Sequence, residues 1–227
     1  MTQFHCFEYI ENHGTPISNT ISNIRRIRKL SPFEHNAILG SVNGLICLSD
    51  LINRFCICNP RTREYIVLPK RTGESGWYYN WVGFGYLPSA DQYKVVVVNE
   101  LKKEPKYIEI MVYTVGSGNG WRNIGKFNRI FNYVSPEHGI FADGALHWKD
   151  HGDIVWVFDL ADEKFCAKNN HSKYLKINNY NPKACTWKTL VDFKRQFCQV
   201  FAHSITLVSL RGLGEGARIF KKRKRRD

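Results

Sequence analysis

No apolar run in this chain approaches the roughly 18 residues that a membrane-spanning helix requires. The longest, such as Ile154-Val155-Trp156-Val157-Phe158, are far shorter, so no membrane partner is expected. The first ten residues carry His5 and Glu8 and lack a basic stretch followed by an apolar one, so no cleaved secretory signal is visible. Cysteines number seven, an odd count, and without a visible route to an oxidising compartment they are expected to be free thiols of the cytoplasm or nucleus. Also missing is any stretch that sustains the i, i+3, i+4 apolar spacing of a long helix. Acidic residues are scarce: 20 Asp and Glu stand against 33 Lys and Arg.

What remains is a chain of 227 residues, 43% hydrophobic and 14% aromatic, enough to bury a core and short enough that one domain is the default. Its formal charge is +13, of which the last seven residues supply +5. Such an excess favours acidic partners through long-range attraction and says nothing about fold.

Short runs rich in Val, Ile, Tyr, Phe and Trp, punctuated by Gly, Asn, Asp and Pro, recur from about residue 40 to residue 211. They predict an all-β domain with strands at Leu45–Ser49, Phe55–Cys58, Glu64–Leu68, Trp81–Tyr86, Tyr93–Asn99, Ile108–Thr114, Gly139–Phe141, Ala145–Trp148, Ile154–Asp159, Leu175–Tyr180, Trp187–Leu190 and Ser204–Ser209. Asn59-Pro60, Gly116–Gly120, Asp143-Gly144 and Asn181-Pro182 supply the turn chemistry between them.

An internal repeat sharpens this reading. Asn43-Gly44-Leu45-Ile46-Cys47-Leu48 is followed 16 residues after Asn43 by Asn59, and Asp143-Gly144-Ala145-Leu146-His147-Trp148 is followed 16 residues after Asp143 by Asp159. An aromatic residue then stands six places after each polar turn residue: Tyr65 after Asn59, Phe165 after Asp159, Trp187 after Asn181. Trp121 follows Thr114 by seven. Each pair describes a hairpin whose return strand buries its first aromatic, the unit from which a propeller blade is built. The hairpins lie 55, 45 and then 22 residues apart, and a four-stranded blade needs roughly 40–50. Half a blade is therefore expected to be missing near 166–174.

These residues resemble the F-box-associated domain of plant F-box proteins, a kelch-like, β-propeller-type module. The matching positions are Gly40–Leu48, Cys58-Asn59-Pro60-Arg61-Thr62-Arg63-Glu64 leading to Leu68-Pro69, Gly83-Phe84-Gly85-Tyr86 with Asp91–Val96, Val112-Tyr113 through Trp121-Arg122, Gly144–Trp148, Val157–Leu160, and, resembling the family's closing segment, Tyr180-Asn181-Pro182 through Trp187 and a strand at Ser204–Leu210. The resemblance implies a partial propeller over 40–211 that captures protein substrates for a Skp-cullin-F-box ubiquitin ligase, with no cofactor. No Leu-Pro-rich F-box array is visible before Gly40, so 1–39 reads as an irregular linker. A Skp-type adaptor is expected as a partner only if an F-box is supplied elsewhere. Residues 212–227 read as a disordered basic tail.

Several motifs carry competing readings. Lys221, Lys222, Arg223, Lys224, Arg225 and Arg226 suit a nuclear import signal, a solvated tail or a nucleic-acid arm. Neither they nor Arg25–Lys29 are interleaved with aromatics as a base-stacking platform would be, and nucleic acid is not the expected partner. Trp77, Tyr78 and Tyr79 are the candidate partner contacts, because Tyr and Trp anchor protein interfaces. Against this, Trp81 and one tyrosine would simply begin a buried strand. Cys56 and Cys58 share a strand face but lack a second ligand pair, so they read as small buried hydrophobes rather than zinc ligands. His147 and His151 are separated by turn residues and make a poor metal pair, and His203 reads as structural.

For an enzyme, Asp143 and Asp159 are the obvious acidic pair. Asn43 and Asn59 replace them in the sister unit, and Asn can serve a turn but not general acid-base chemistry. The Gly116–Gly120 loop leads into Trp121 and a strand rather than a helix N-terminus, so it is no phosphate cradle. The expected protein is non-enzymatic and recruits other proteins. The alternatives are a basic nuclear module that binds nucleic acid and a truncated gene product without independent function.

Overall fold

The computed structural model describes residues 4–9, 21–27, 31–34, 37–50, 53–71, 77–101, 103–128, 138–149, 154–168, 179–181, 186–188 and 203–220. Three four-stranded antiparallel meanders follow one another. The first comprises β3 (Ala37–Val42), β4 (Leu45–Ser49), β5 (Phe55–Cys58) and β6 (Glu64–Val67). The second comprises β7 (Trp77–Leu87), β8 (Gln92–Leu101), β9 (Tyr107–Thr114) and β10 (Trp121–Asn128). The third comprises β11 (His138–Ala142), β12 (Ala145–Lys149), β13 (Val155–Asp159) and β14 (Phe165–Lys168). The first strands of the second and third meanders pair in parallel through Val82 and Gly83 against His138 and Gly139, which joins eight strands into one curled sheet. β3 also packs on both β7 and β11. The first strand of every meander therefore faces a common axis, and each meander is one blade of an all-β, partial β-propeller.

Burial follows from this geometry. A blade inside a propeller is covered on both faces, so its central strands are apolar without alternation. Val95, Val96, Val97 and Val98 in β8 are all buried: Val95 and Val97 join Leu39, Phe55 and Ile57 of the first blade, whereas Val96 and Val98 join Leu146, Trp148 and Phe158 of the third. Each fully buried valine of this kind contributes about 1.5–3 kcal/mol relative to exposure. Gly83 permits the close approach of the second and third blades, since a Cβ there would lie 2.7 Å from Leu146 Cδ1 and 3.0 Å from Trp148 Cζ2.

The repeat seen in the sequence is a repeat of turns. Asn43 and Asp143 have φ of 47° and 49°, followed by Gly44 at 79° and Gly144 at 75°. Asn59 Oδ1 accepts from the backbone N–H of Arg61 at 2.8 Å, and Asp159 Oδ1 accepts from those of Ala161 and Asp162, both at 2.8 Å. The six-residue aromatic spacing is a register: Cys58 pairs with Tyr65, Phe158 with Phe165 and Tyr180 with Trp187. One extra residue in the loop shifts the second blade to Tyr113 with Trp121.

Several expectations change. Within 1–39, read as an irregular linker, β1 (Phe4–Tyr9) and β2 (Ile21–Ile27) pair antiparallel, and β3 begins at Ala37. The 212–227 segment is not wholly a tail, because β17 (Arg218–Ile219) pairs with β6 and extends the first blade to five strands. Its anchor is Phe220, stacked on Tyr65 with ring centroids 4.2 Å apart. Ser204–Ser209 is not a strand, because side chains rather than a neighbouring strand bind its backbone. The expected shortening near 166–174 falls partly on β14, which completes the third blade, and partly on 169–174, outside the described residues. β15 (Asn179–Asn181) and β16 (Thr186–Lys188) form a further hairpin.

Candidate partner-binding face

One end of the blade array gathers the β3–β4, β5–β6, β7–β8, β9–β10, β11–β12 and β13–β14 turns, since the first strands of the second and third blades run parallel and a C-terminal strap links the first blade's turns to the second's. The strap, residues 203–217, crosses that face. Gly44 and Gly116 lie beneath it with φ of 79° each; a Cβ on Gly44 would meet Thr206 Cγ2, and one on Gly116 would meet the Leu213 carbonyl oxygen.

Four polar anchors hold the strap. Asn59 is 1% exposed, and its Nδ2 donates to the carbonyls of Thr206 at 3.2 Å and Val208 at 2.8 Å. Glu64 accepts from Ser209 Oγ at 3.0 Å and the Leu210 N–H at 2.7 Å. Glu215 Oε1 accepts from the Tyr113 hydroxyl at 2.9 Å and the Gly116 N–H at 2.7 Å. Burial and then the Glu215 carboxylate raise the Tyr113 phenol, which keeps it a neutral donor. Ser41 Oγ and His203 Nδ1 lie 2.9 Å apart. Burial lowers the His203 imidazole below its ordinary value, so it stays neutral at physiological pH, in keeping with a structural role.

The third blade is tied to the second by charge. Lys94, 5% exposed, donates to the Leu160 carbonyl at 2.7 Å and to Glu163 Oε1 at 2.9 Å, and Arg122 reaches the same oxygen at 2.6 Å. Burial would raise the Glu163 carboxyl, but hydrogen bonds and charge from Arg122 and Lys94 outweigh it and hold the group below its ordinary value. On the other side of the second blade, Arg71 donates to the buried Asn99 Oδ1 at 2.7 Å and lies over the Phe55 ring. Burial lowers that guanidinium to about 10.

Two apolar side chains of the strap face solvent: Ile205 is 69% exposed and Leu207 77%. Around the β5–β6 turn, Arg61 and Arg63 are also exposed, Arg63 at a φ of 64°. Sequence reasoning missed all four as surface features. The alternation of Ser204, Ile205, Thr206 and Leu207 pointed the other way, since it would place Ile205 and Leu207 on a covered face, whereas in the structure Thr206 and Val208 are the more covered pair.

Trp77, Tyr78 and Tyr79 form the first residues of β7, where Trp77 pairs with Leu101 and the register shifts before Asn80 pairs with Asn99; their side chains lie outside the described residues. So do Lys221, Lys222, Arg223, Lys224, Arg225 and Arg226, and His151. His147 Nε2 lies 3.2 Å from the Ala142 carbonyl oxygen. Cys47, Cys56 and Cys58 are buried, and desolvation raises all three thiols, Cys56 to about 12. Burial of this kind keeps the thiols protonated and packed as small apolar groups. Asp159 is engaged by its own turn, as the comparison with Asn59 implied.

Comparison with known proteins agrees with this architecture. The family described as F-box associated beta propeller domain matches residues 4–197. Among curated relatives from Arabidopsis thaliana, the chain is 31% identical over 168 residues to "Putative F-box protein At3g52320", covering 68% of this chain and 42% of that protein. It is 29% identical over 171 residues to F-box protein At1g30790, covering 70% and 41%. To F-box protein CPR1 it is 28% identical over 156 residues, covering 56% and 38%. The chain thus spans less than half the length of these relatives. No solved structure gives a significant match. With three blades in sequence, inner strands converging on one axis and a family match over most of its length, the chain belongs to the F-box associated beta propeller domain family.

Proposed function

We propose that this chain is a non-catalytic recognition module that recruits protein substrates to a Skp-cullin-F-box type ubiquitin ligase. The observation that carries the reading is the family match, joined to relatives that are named F-box proteins. The turn face supports it, because a rigid strap presenting exposed apolar and basic side chains suits capture of another protein. Its acidic side chains support it as well: Glu64, Glu163 and Glu215 hold the strap and the blades together, and Asp159 shapes a turn. A Skp-type adaptor would be engaged through an F-box supplied elsewhere, and the Lys221–Arg226 run would direct the protein to the nucleus.

Affinity capture on the immobilised chain, with and without nuclease, tests this reading. It predicts a reproducible set of retained proteins that survives nuclease. Retention of nucleic acid alone, with affinity falling steeply as salt rises, would assign the chain to nucleic-acid binding instead.

A further inference from the structure

We infer that the strap at residues 203–209 is an edge to which an acidic partner segment docks in extended conformation, adding a strand to the turn face; this rests on the protein-recruiting role proposed above. The Thr206 and Val208 carbonyls are fixed toward the blade by Asn59 Nδ2. In an extended chain successive peptide groups point to opposite sides, so the N–H and C=O groups of Ile205 and Leu207 point away from the blade. Among the described residues those groups make no hydrogen bond. An unpaired backbone edge of this kind pairs with an incoming strand, and alternate side chains then set specificity.

Ile205 and Leu207 are the most exposed large hydrophobic residues described, and they alternate as the two contacts of one docked strand would require. Charge complementarity selects the partner. Arg61 and Arg63 lie in the turn whose Asn59 grips the strap, and Arg211 is exposed at the strap's end. The carboxylates of Glu64 and Glu215 are turned inward onto Leu210 and Gly116. Exposed Asp91, Asp143 and Asp162 belong to the β7–β8, β11–β12 and β13–β14 turns, whereas Arg61, Arg63 and Arg211 belong to the strap and the turn that grips it. At the strap, apolar side chains therefore meet solvent beside cationic ones, which fits a segment with valine- or isoleucine-like residues alternating with Asp or Glu. Because Asn59, Glu64 and Glu215 hold the strap before any partner arrives, little ordering cost falls on binding.

The test is fluorescence anisotropy with the full chain and a labelled peptide of alternating valine and aspartate. It is repeated with a peptide N-methylated at alternate residues, and with a thymidine oligonucleotide of matched charge. Methylation removes the donors needed for strand pairing and leaves charge unchanged, so the expected loss is roughly tenfold or more. Ile205→Ser with Leu207→Ser, and separately Arg61→Ser with Arg63→Ser, should each weaken the unmethylated peptide several-fold without moving the melting temperature. The inference is overturned by absent peptide binding, by equal binding of the methylated peptide, or by an oligonucleotide that binds more tightly and displaces the peptide. The methylated peptide decides the matter even if a variant misfolds. If the Ile205→Ser, Leu207→Ser variant still retains every protein captured by the wild type, the edge is wrong and substrate recruitment stands. If the wild type retains no protein, the recruiting role itself fails.

Discussion

Asn59 and Asp159 occupy equivalent turns, yet exchanging them should have opposite consequences. Each side chain caps its own turn through Oδ1, and that task survives either exchange. Only Asn59 has a second task, since its buried Nδ2 donates to two strap carbonyls. Asn59→Asp removes both donated bonds, worth about 1 kcal/mol each, and sets a buried carboxylate against two carbonyl oxygens, which raises the expected loss to roughly 2–4 kcal/mol. For a domain of this size that corresponds to a fall in melting temperature of roughly 4–16 °C. Asp159→Asn keeps the acceptor and should change stability by less than about 0.5 kcal/mol. Urea titration of both variants, followed by tryptophan fluorescence, measures the difference directly. The Asn59→Asp deficit should shrink as pH falls, because a protonated carboxyl can again donate. Equal losses in the two variants, or a neutral Asn59→Asp, would refute the assignment of Asn59 as the strap's anchor.

Glu163→Gln keeps an oxygen that can accept from Lys94 but removes the negative charge that offsets its buried ammonium, and should cost about 1–3 kcal/mol. The Glu163 pKa is lowered in the folded state, so its contribution is present above the ordinary carboxylate value and fades as pH falls through the folded value. Wild type and variant should therefore converge in acid, as urea unfolding across pH would read. Gly83→Ala drives a methyl into buried Leu146 and Trp148 and should cost about 1–3 kcal/mol by thermal melting. In native protein near pH 8 a thiol reagent should modify exposed Cys166 and spare Cys47, Cys56 and Cys58 until denaturant is added, as peptide mass mapping would show. Removal of residues 221–227 from a fluorescent fusion should lower its nuclear-to-cytoplasmic ratio.

Central strands were legible in the sequence because they are covered on both faces: Val95–Val98, Phe55–Cys58 and Val155–Phe158 are unbroken apolar runs. Hairpin register was legible too, since the spacing from Asn59 to Tyr65 and from Asp159 to Phe165 measures one loop of fixed length. Outer strands left less trace. In β10 most residues are partly or fully exposed, and only Trp121, hydrogen-bonded to the Pro69 carbonyl at 2.8 Å, marked it. β17 was invisible because two residues, Arg218 and Ile219, are too short a run to show any alternation; its place depends on Tyr65, distant in sequence. Ser204–Ser209 has the composition of a strand, but its carbonyls go to Asn59, a long-range contact that periodicity does not encode. The face itself was unreadable for the same reason: the turn that carries Arg61 and the strap that carries Ile205 and Leu207 are joined only through Asn59.

Recruitment is tested most directly by ubiquitination in a reconstituted Skp-cullin ligase, with this chain joined to an F-box segment and a protein captured by the chain as substrate. The account predicts ubiquitin conjugation to the captured protein that is lost when the chain is omitted or replaced by an unrelated propeller. Conjugation at the same rate without the chain would contradict it.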